Sequence, residues 1–182
     1  MRSTARVVVV FSVMIAGLVA LASMAGARGR LADARDPQRL AALAAMDEAL
    51  ARYDVPAAVQ AWRQARELGL RTRGWRGPAE AADAELRLAA VIERVDEAKR
   101  NARELWLVAL FRARAEGAVD GALNAAEGFA RLGDRDAAVL ALRIADKLAA
   151  RSGAEADRAH VRLVAERLAL PAAAPASAPS GS

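Results

Sequence analysis

Apolar and polar residues alternate with a helical period from Pro37 to about Leu168. Leu40, Leu43, Met46 and Leu50 recur at intervals of three and four, which places an apolar stripe on a helix from about Pro37 to Arg52. Asp36 precedes it as a capping residue, with Pro37 in the first turn. "YDVPAAV" interrupts the period. Asp54 as cap and Pro56 in the first turn then open a second helix that reaches about Leu68, with Val59, Trp62 and Ala65 on one face. "GLRTRGWRGP", with three glycines and a proline, reads as a loop. A third helical region begins near Pro78 and meets no strong breaker before Gly117. That is long for a globular helix, so a break is expected between Ile92 and Asp96, with Asp96 capping the new turn. Its second half holds "LWLVALF", Leu105 to Phe111, apolar all round. This predicts a helix contacted on several sides, with Trp106 and Phe111 in the core. Asp120 is expected to cap a helix to Leu132, and Asp134 or Asp136 another to about Ala150. After "RSGAEAD" a last helix runs from about Glu155 to Leu168.

The pattern fails at both ends. Arg2 and Arg6 precede a run from Val7 to Ala27 that carries no charge and is long enough to cross a bilayer as a helix. The run closes on Ala25-Gly26-Ala27, a small-x-small pattern suited to signal peptidase. Residues 1–27 thus read either as a cleaved secretory signal or as an uncleaved membrane anchor. Both readings predict export, with the domain periplasmic or anchored to the inner membrane of a bacterium. Residues 28–36, "RGRLADARD", form a charged linker, and 37–169 form the domain. Residues 170–182, ending "PAAAPASAPSGS", lack large apolar side chains after Leu170 and are expected to be disordered.

Composition sharpens this picture. The 182 residues are 55% apolar, but alanine supplies half of that, and aromatics make up only 4% of the chain. Alanine favours helix and buries little area, so an all-α fold of closely packed helices is expected. Cysteine is absent, which excludes disulfides, zinc–thiolate sites and a catalytic thiol. The net charge of +5 is carried by interleaved acidic and basic residues, the pattern of a solvated helical surface rather than a nucleic-acid face.

Within this pattern "FARLGDRDAAVLALRIADKLA", Phe129 to Ala149, resembles the tetratricopeptide repeat, a stacked helical hairpin. Ala138 and Ala145 match its small positions, Phe129 the late aromatic of its first helix and Leu142 its bulky position. Gly133-Asp134 matches its turn. Ala58, Trp62 and Ala65 repeat the second-helix pattern earlier in the chain. The tryptophan and Leu-Gly pair of the family's first helix are replaced by Ala122, Ala125 and Ala126. The resemblance implies tetratricopeptide-like antiparallel hairpins and a scaffold that holds a protein or peptide. It carries over no catalytic residue and no cofactor.

Chemistry beyond packing is sparse. His160 is the sole histidine, three residues after Asp157, which is one pair and not a metal site. Ser152 and Thr72 lie in loops, and no Gly-x-Ser-x-Gly elbow or phosphate-binding glycine loop occurs. The most distinctive polar feature is the loop itself, where Arg71, Arg73 and Arg76 surround Trp75. Arginine beside an indole binds anions or lipid headgroups. Alternatively, Trp75 folds back into the core and the arginines face solvent. The sequence therefore predicts a non-enzymatic, exported or membrane-anchored helical scaffold with an unidentified protein partner and no cofactor. The alternative is a membrane-surface or anion-binding domain that uses the Arg71–Arg76 loop.

Overall fold

A computed structural model describes residues 36–169. The apolar segment 1–27, most of the linker and the tail 170–182 lie outside the described residues. Seven helices follow one another with no strand among the described residues: α1 (Pro37–Ala51), α2 (Val55–Arg71), α3 (Arg76–Ile92), α4 (Val95–Glu116), α5 (Val119–Leu132), α6 (Arg135–Ser152) and α7 (Glu155–Arg167). The fold of the described residues is all-α.

Turn chemistry sets the boundaries. The Asp54 carboxylate accepts from the Ala57 amide at 3.1 Å, and the Asp134 carboxylate from the Ala137 amide at 3.1 Å. These bonds satisfy amides that the first turns of α2 and α6 leave free. Gly117 and Gly133 end α4 and α5 at φ of 71° and 79°, a left-handed conformation that costs glycine least. The expected break is present at Glu93–Arg94, but Arg94 rather than Asp96 precedes α4, and Glu93 itself takes the left-handed turn. Ala118, not Asp120, precedes α5, and Asp120 sits in its first turn.

Connections of a few residues make sequential helices antiparallel neighbours. Each helix packs on the next, and α1 on α3, α3 on α5, α4 on α6 and α5 on α7 also touch. Alanine lines most of these contacts. Ala58 and Ala65 of α2, and Ala138, Ala141 and Ala145 of α6, are fully buried. Phe129 and Leu142 are buried with them, and Trp62 is half-buried, its indole N–H donating to the Ala81 carbonyl at 3.4 Å. Glycine brings backbones closer still. A Cβ on Gly69 of α2 would lie 2.7 Å from the Gly77 carbonyl oxygen of α3, so these helices meet backbone to backbone. Trp106 of α4 lies so close against Gly128 of α5 that a Cβ there would run into the indole ring.

The buried residues form two clusters. The larger joins α3 to α7 around Trp106, Leu110 and Phe129. The smaller joins α1, α2 and α3 around Met46, Ala58 and Leu88.

Two apolar assignments differ from the sequence pattern. On α1 the buried residues are Arg39, Ala42, Met46 and Ala49, while Leu40 is 46% exposed. The stripe is rotated because alanine allows the closest helix approach, which moves Leu43 and Leu50 to its flanks. Arg39 is buried and pairs with Glu80 of α3 at 2.9 Å. In "LWLVALF", Leu105, Trp106, Ala109 and Leu110 are buried, but Phe111 faces outward and is 58% exposed. Seven apolar residues encircle a helix, and α4 is covered on only part of its circumference.

Candidate functional site

Three places in the fold carry more than packing. The first is the arginine loop between α2 and α3. Its four named residues do not converge. Arg71 turns back along α2 to Glu67, and Arg73 is exposed. Trp75 is half-buried and packs on the large core. A Cβ on Gly121 of α5 would lie 2.7 Å from the indole, and the Arg76 guanidinium lies 4.7 Å from the ring centroid. The loop is held by a residue the sequence pattern did not single out. Arg112 of α4 donates to the carbonyls of Leu70 at 2.9 Å, Thr72 at 2.6 Å and Gly74 at 3.2 Å. These oxygens include ones left unpaired where α2 ends, and the cation opposes the negative end of the helix dipole. Trp75 and Arg112 thus fix the loop from two sides.

The second place is a cleft of about 290 Å³ between α2, α3 and α4. Trp62, Leu88 and Ile92 supply apolar walls, and Arg63, Arg94 and Glu97 lie at its margin. Glu85 is buried at 8% exposure beside it. One carboxylate oxygen accepts from the Asn101 amide at 3.1 Å, and the other is enclosed without a hydrogen bond. Desolvation pushes the Glu85 carboxyl above the ordinary glutamate range. The Asn101 bond and the Arg66 charge oppose that shift without reversing it. Asp83, two residues earlier on α3 and so on its other face, is also raised by burial, against the pull of Arg131 and Arg87.

The third place is a groove of about 550 Å³ between α4 and α6. Leu140 and Ile144 line it from α6, and Arg114 from α4. Lys147 and Arg151 continue the α6 wall at intervals of three and four, so one helix face changes from apolar to basic along its length. Leu140 is 49% exposed. Phe111, one turn before Arg114 on α4, adds apolar surface on the same side of that helix. The spacing of Leu140, Ile144, Lys147 and Arg151 was visible in the sequence. What it lacked was the neighbour: only the fold shows that α4 lies alongside α6 and leaves this face uncovered.

His160 and Asp157 do not act together. The Ser152 hydroxyl donates to the Asp157 carboxylate, whereas His160 Nδ1 lies 3.5 Å from Asp120 of α5. No group of three or more His, Cys, Asp or Glu able to hold a metal ion occurs among the described residues. No helix among them is long and apolar enough to cross a membrane. Compared with family models, with curated proteins and with solved structures, the chain matches none.

Proposed function

We propose that this chain is a non-enzymatic, exported or membrane-anchored helical scaffold that mediates protein–protein interaction, built from tetratricopeptide-like hairpins. The observation that carries the reading is the groove between α4 and α6. A chain with a core made largely of alanine leaves Leu140 exposed beside Ile144 in this groove, and Phe111 exposed one turn before Arg114 on α4. Single exposed apolar residues are ordinary, but a clustered set in a concavity is the usual mark of a docking surface. The serial packing of helices supports the same reading, because it leaves grooves between neighbouring elements. Export rests on the uncharged run from Val7 to Ala27.

The alternative, anion or lipid binding through the Arg71–Arg76 loop, draws less support. Arg71 is engaged with Glu67, Arg76 with the Trp75 ring, and Trp75 with the core. Affinity capture with the full chain tagged at its C-terminus tests the scaffold reading. A specific protein should be recovered from the membrane fraction of the source cells, with little or none recovered by a Leu140→Asp variant, whose side chain is exposed in the groove. Recovery of no specific protein, or equal recovery by the variant, would count against it.

A further inference from the structure

We infer that the partner segment for the α4–α6 groove is an amphipathic helix with apolar anchors at one end and a cluster of carboxylates at the other. This rests on the scaffold reading above and specifies its partner. The groove walls set the requirement. Leu140 and Ile144 form the apolar part, while Arg114, Lys147 and Arg151 form the polar part, and no carboxylate lines it among the described residues. From Leu140 to Arg151 the α6 face runs about 17 Å at the helical rise, which accommodates about three turns of a docked helix. The three cations gather toward the ends of α4 and α6, where the helix carbonyls already make the field negative. Cations so placed are stable in the free protein and still attract carboxylates brought against them. A partner's leucine or phenylalanine side chains on Leu140 and Ile144 would supply apolar burial, and its acidic end would supply register and on-rate. The concavity favours a helix over a bilayer surface, since a planar headgroup layer cannot follow a groove cut between two helices.

A defined probe tests this with the full chain. The probe is a helix-forming peptide of about four turns, with leucines spaced three and four apart and three glutamates at its C-terminal end. Its twin carries lysines in place of the glutamates, and a scramble keeps the charge but breaks the leucine spacing. The acidic peptide should bind saturably with one site per chain, and the twin and the scramble at least tenfold more weakly. Replacing Arg114, Lys147 and Arg151 together by Gln should weaken binding at least tenfold and flatten its salt dependence. Those three side chains are exposed or groove-lining, so circular dichroism of that variant should match the parent, and its thermal unfolding midpoint should fall only by the small amount that losing helix-end cations costs. Leu140→Asp should abolish binding while leaving the core intact.

No saturable binding of the acidic peptide, equal binding of the lysine twin, or indifference to the Gln variant would overturn the inference. So would binding to phosphatidylglycerol vesicles that depends on the same residues when the peptide does not bind. A captured partner whose binding survives the Gln variant would leave the scaffold reading standing and remove this one.

Discussion

Glu85 has one carboxylate oxygen tied to Asn101 and the other enclosed without a donor. Its carboxyl titrates above the ordinary range, so between the unfolded and folded values the native state binds more protons than the unfolded chain. Stability therefore falls as pH rises through that interval. Glu85→Gln should match the parent in acid, where the carboxyl is protonated, and become the more stable of the two as pH rises toward neutral. Urea unfolding at a series of pH values reads this directly, and a constant gap at all pH values would refute it. Asp134 has the opposite sign. Desolvation raises its carboxyl, but the Ala137 amide and Arg103 outweigh it and hold it below the usual range, so its contribution is lost only as pH falls through that lowered value. Gly128 is constrained by space. Alanine in a helix is ordinarily favoured over glycine by about 1 kcal/mol. Here the added methyl would strike the fully buried Trp106 ring, and overpacking of this kind costs about 1–3 kcal/mol. Gly128→Ala should therefore lower the midpoint of chemical denaturation rather than raise it. Neither effect was legible in the sequence, where Glu85 reads as one more charge on a helix and Gly128 as a weak helix former. Both depend on a neighbour more than fifteen residues away.

Helices, unlike those neighbours, were legible because their signals are local. Pro37, Asp54, Gly117, Gly133 and Gly153 mark starts and stops that hydrogen bonds within a few residues enforce. Which face of each helix turned inward was less legible. On α1 the pattern of leucines pointed one way, and close alanine packing turned the helix by about one residue, burying Arg39 in place of Leu40. The ends of elements give two further predictions. Asp134→Ala removes both the cap of α6 and the partner of Arg103, which lies 2.6 Å away. It should cost about 1–2 kcal/mol by thermal unfolding. Arg112→Met keeps the stem of the side chain but releases the carbonyls that end α2. Amides of residues 70–75 should then exchange with solvent at least tenfold faster, while those of α6 stay protected. Arg112→Lys should restore little, because a single ammonium cannot reach three carbonyls in the fork geometry of a guanidinium.

Among the described residues there are two apolar clusters instead of one, and the smaller is confined to α1, α2 and the end of α3. Its largest members are Met46 and Leu88, flanked by the half-buried Trp62, so it buries far less area than the cluster around Trp106 and Phe129. Native-state hydrogen exchange should show α1 and α2 opening at a lower free energy than α4, α5 and α6. Uniform protection across all seven helices would contradict this. Contacts in the described residues reach from each helix to the next and to the next but one. A chain wired in this way closes no long loops before its contacts form, so the entropy of chain closure hardly enters its folding barrier. Refolding should finish within milliseconds. Each hairpin could also begin to form as soon as its second helix leaves the ribosome, so on the proposed export reading the chain would have to be kept unfolded from about its first hundred residues onward.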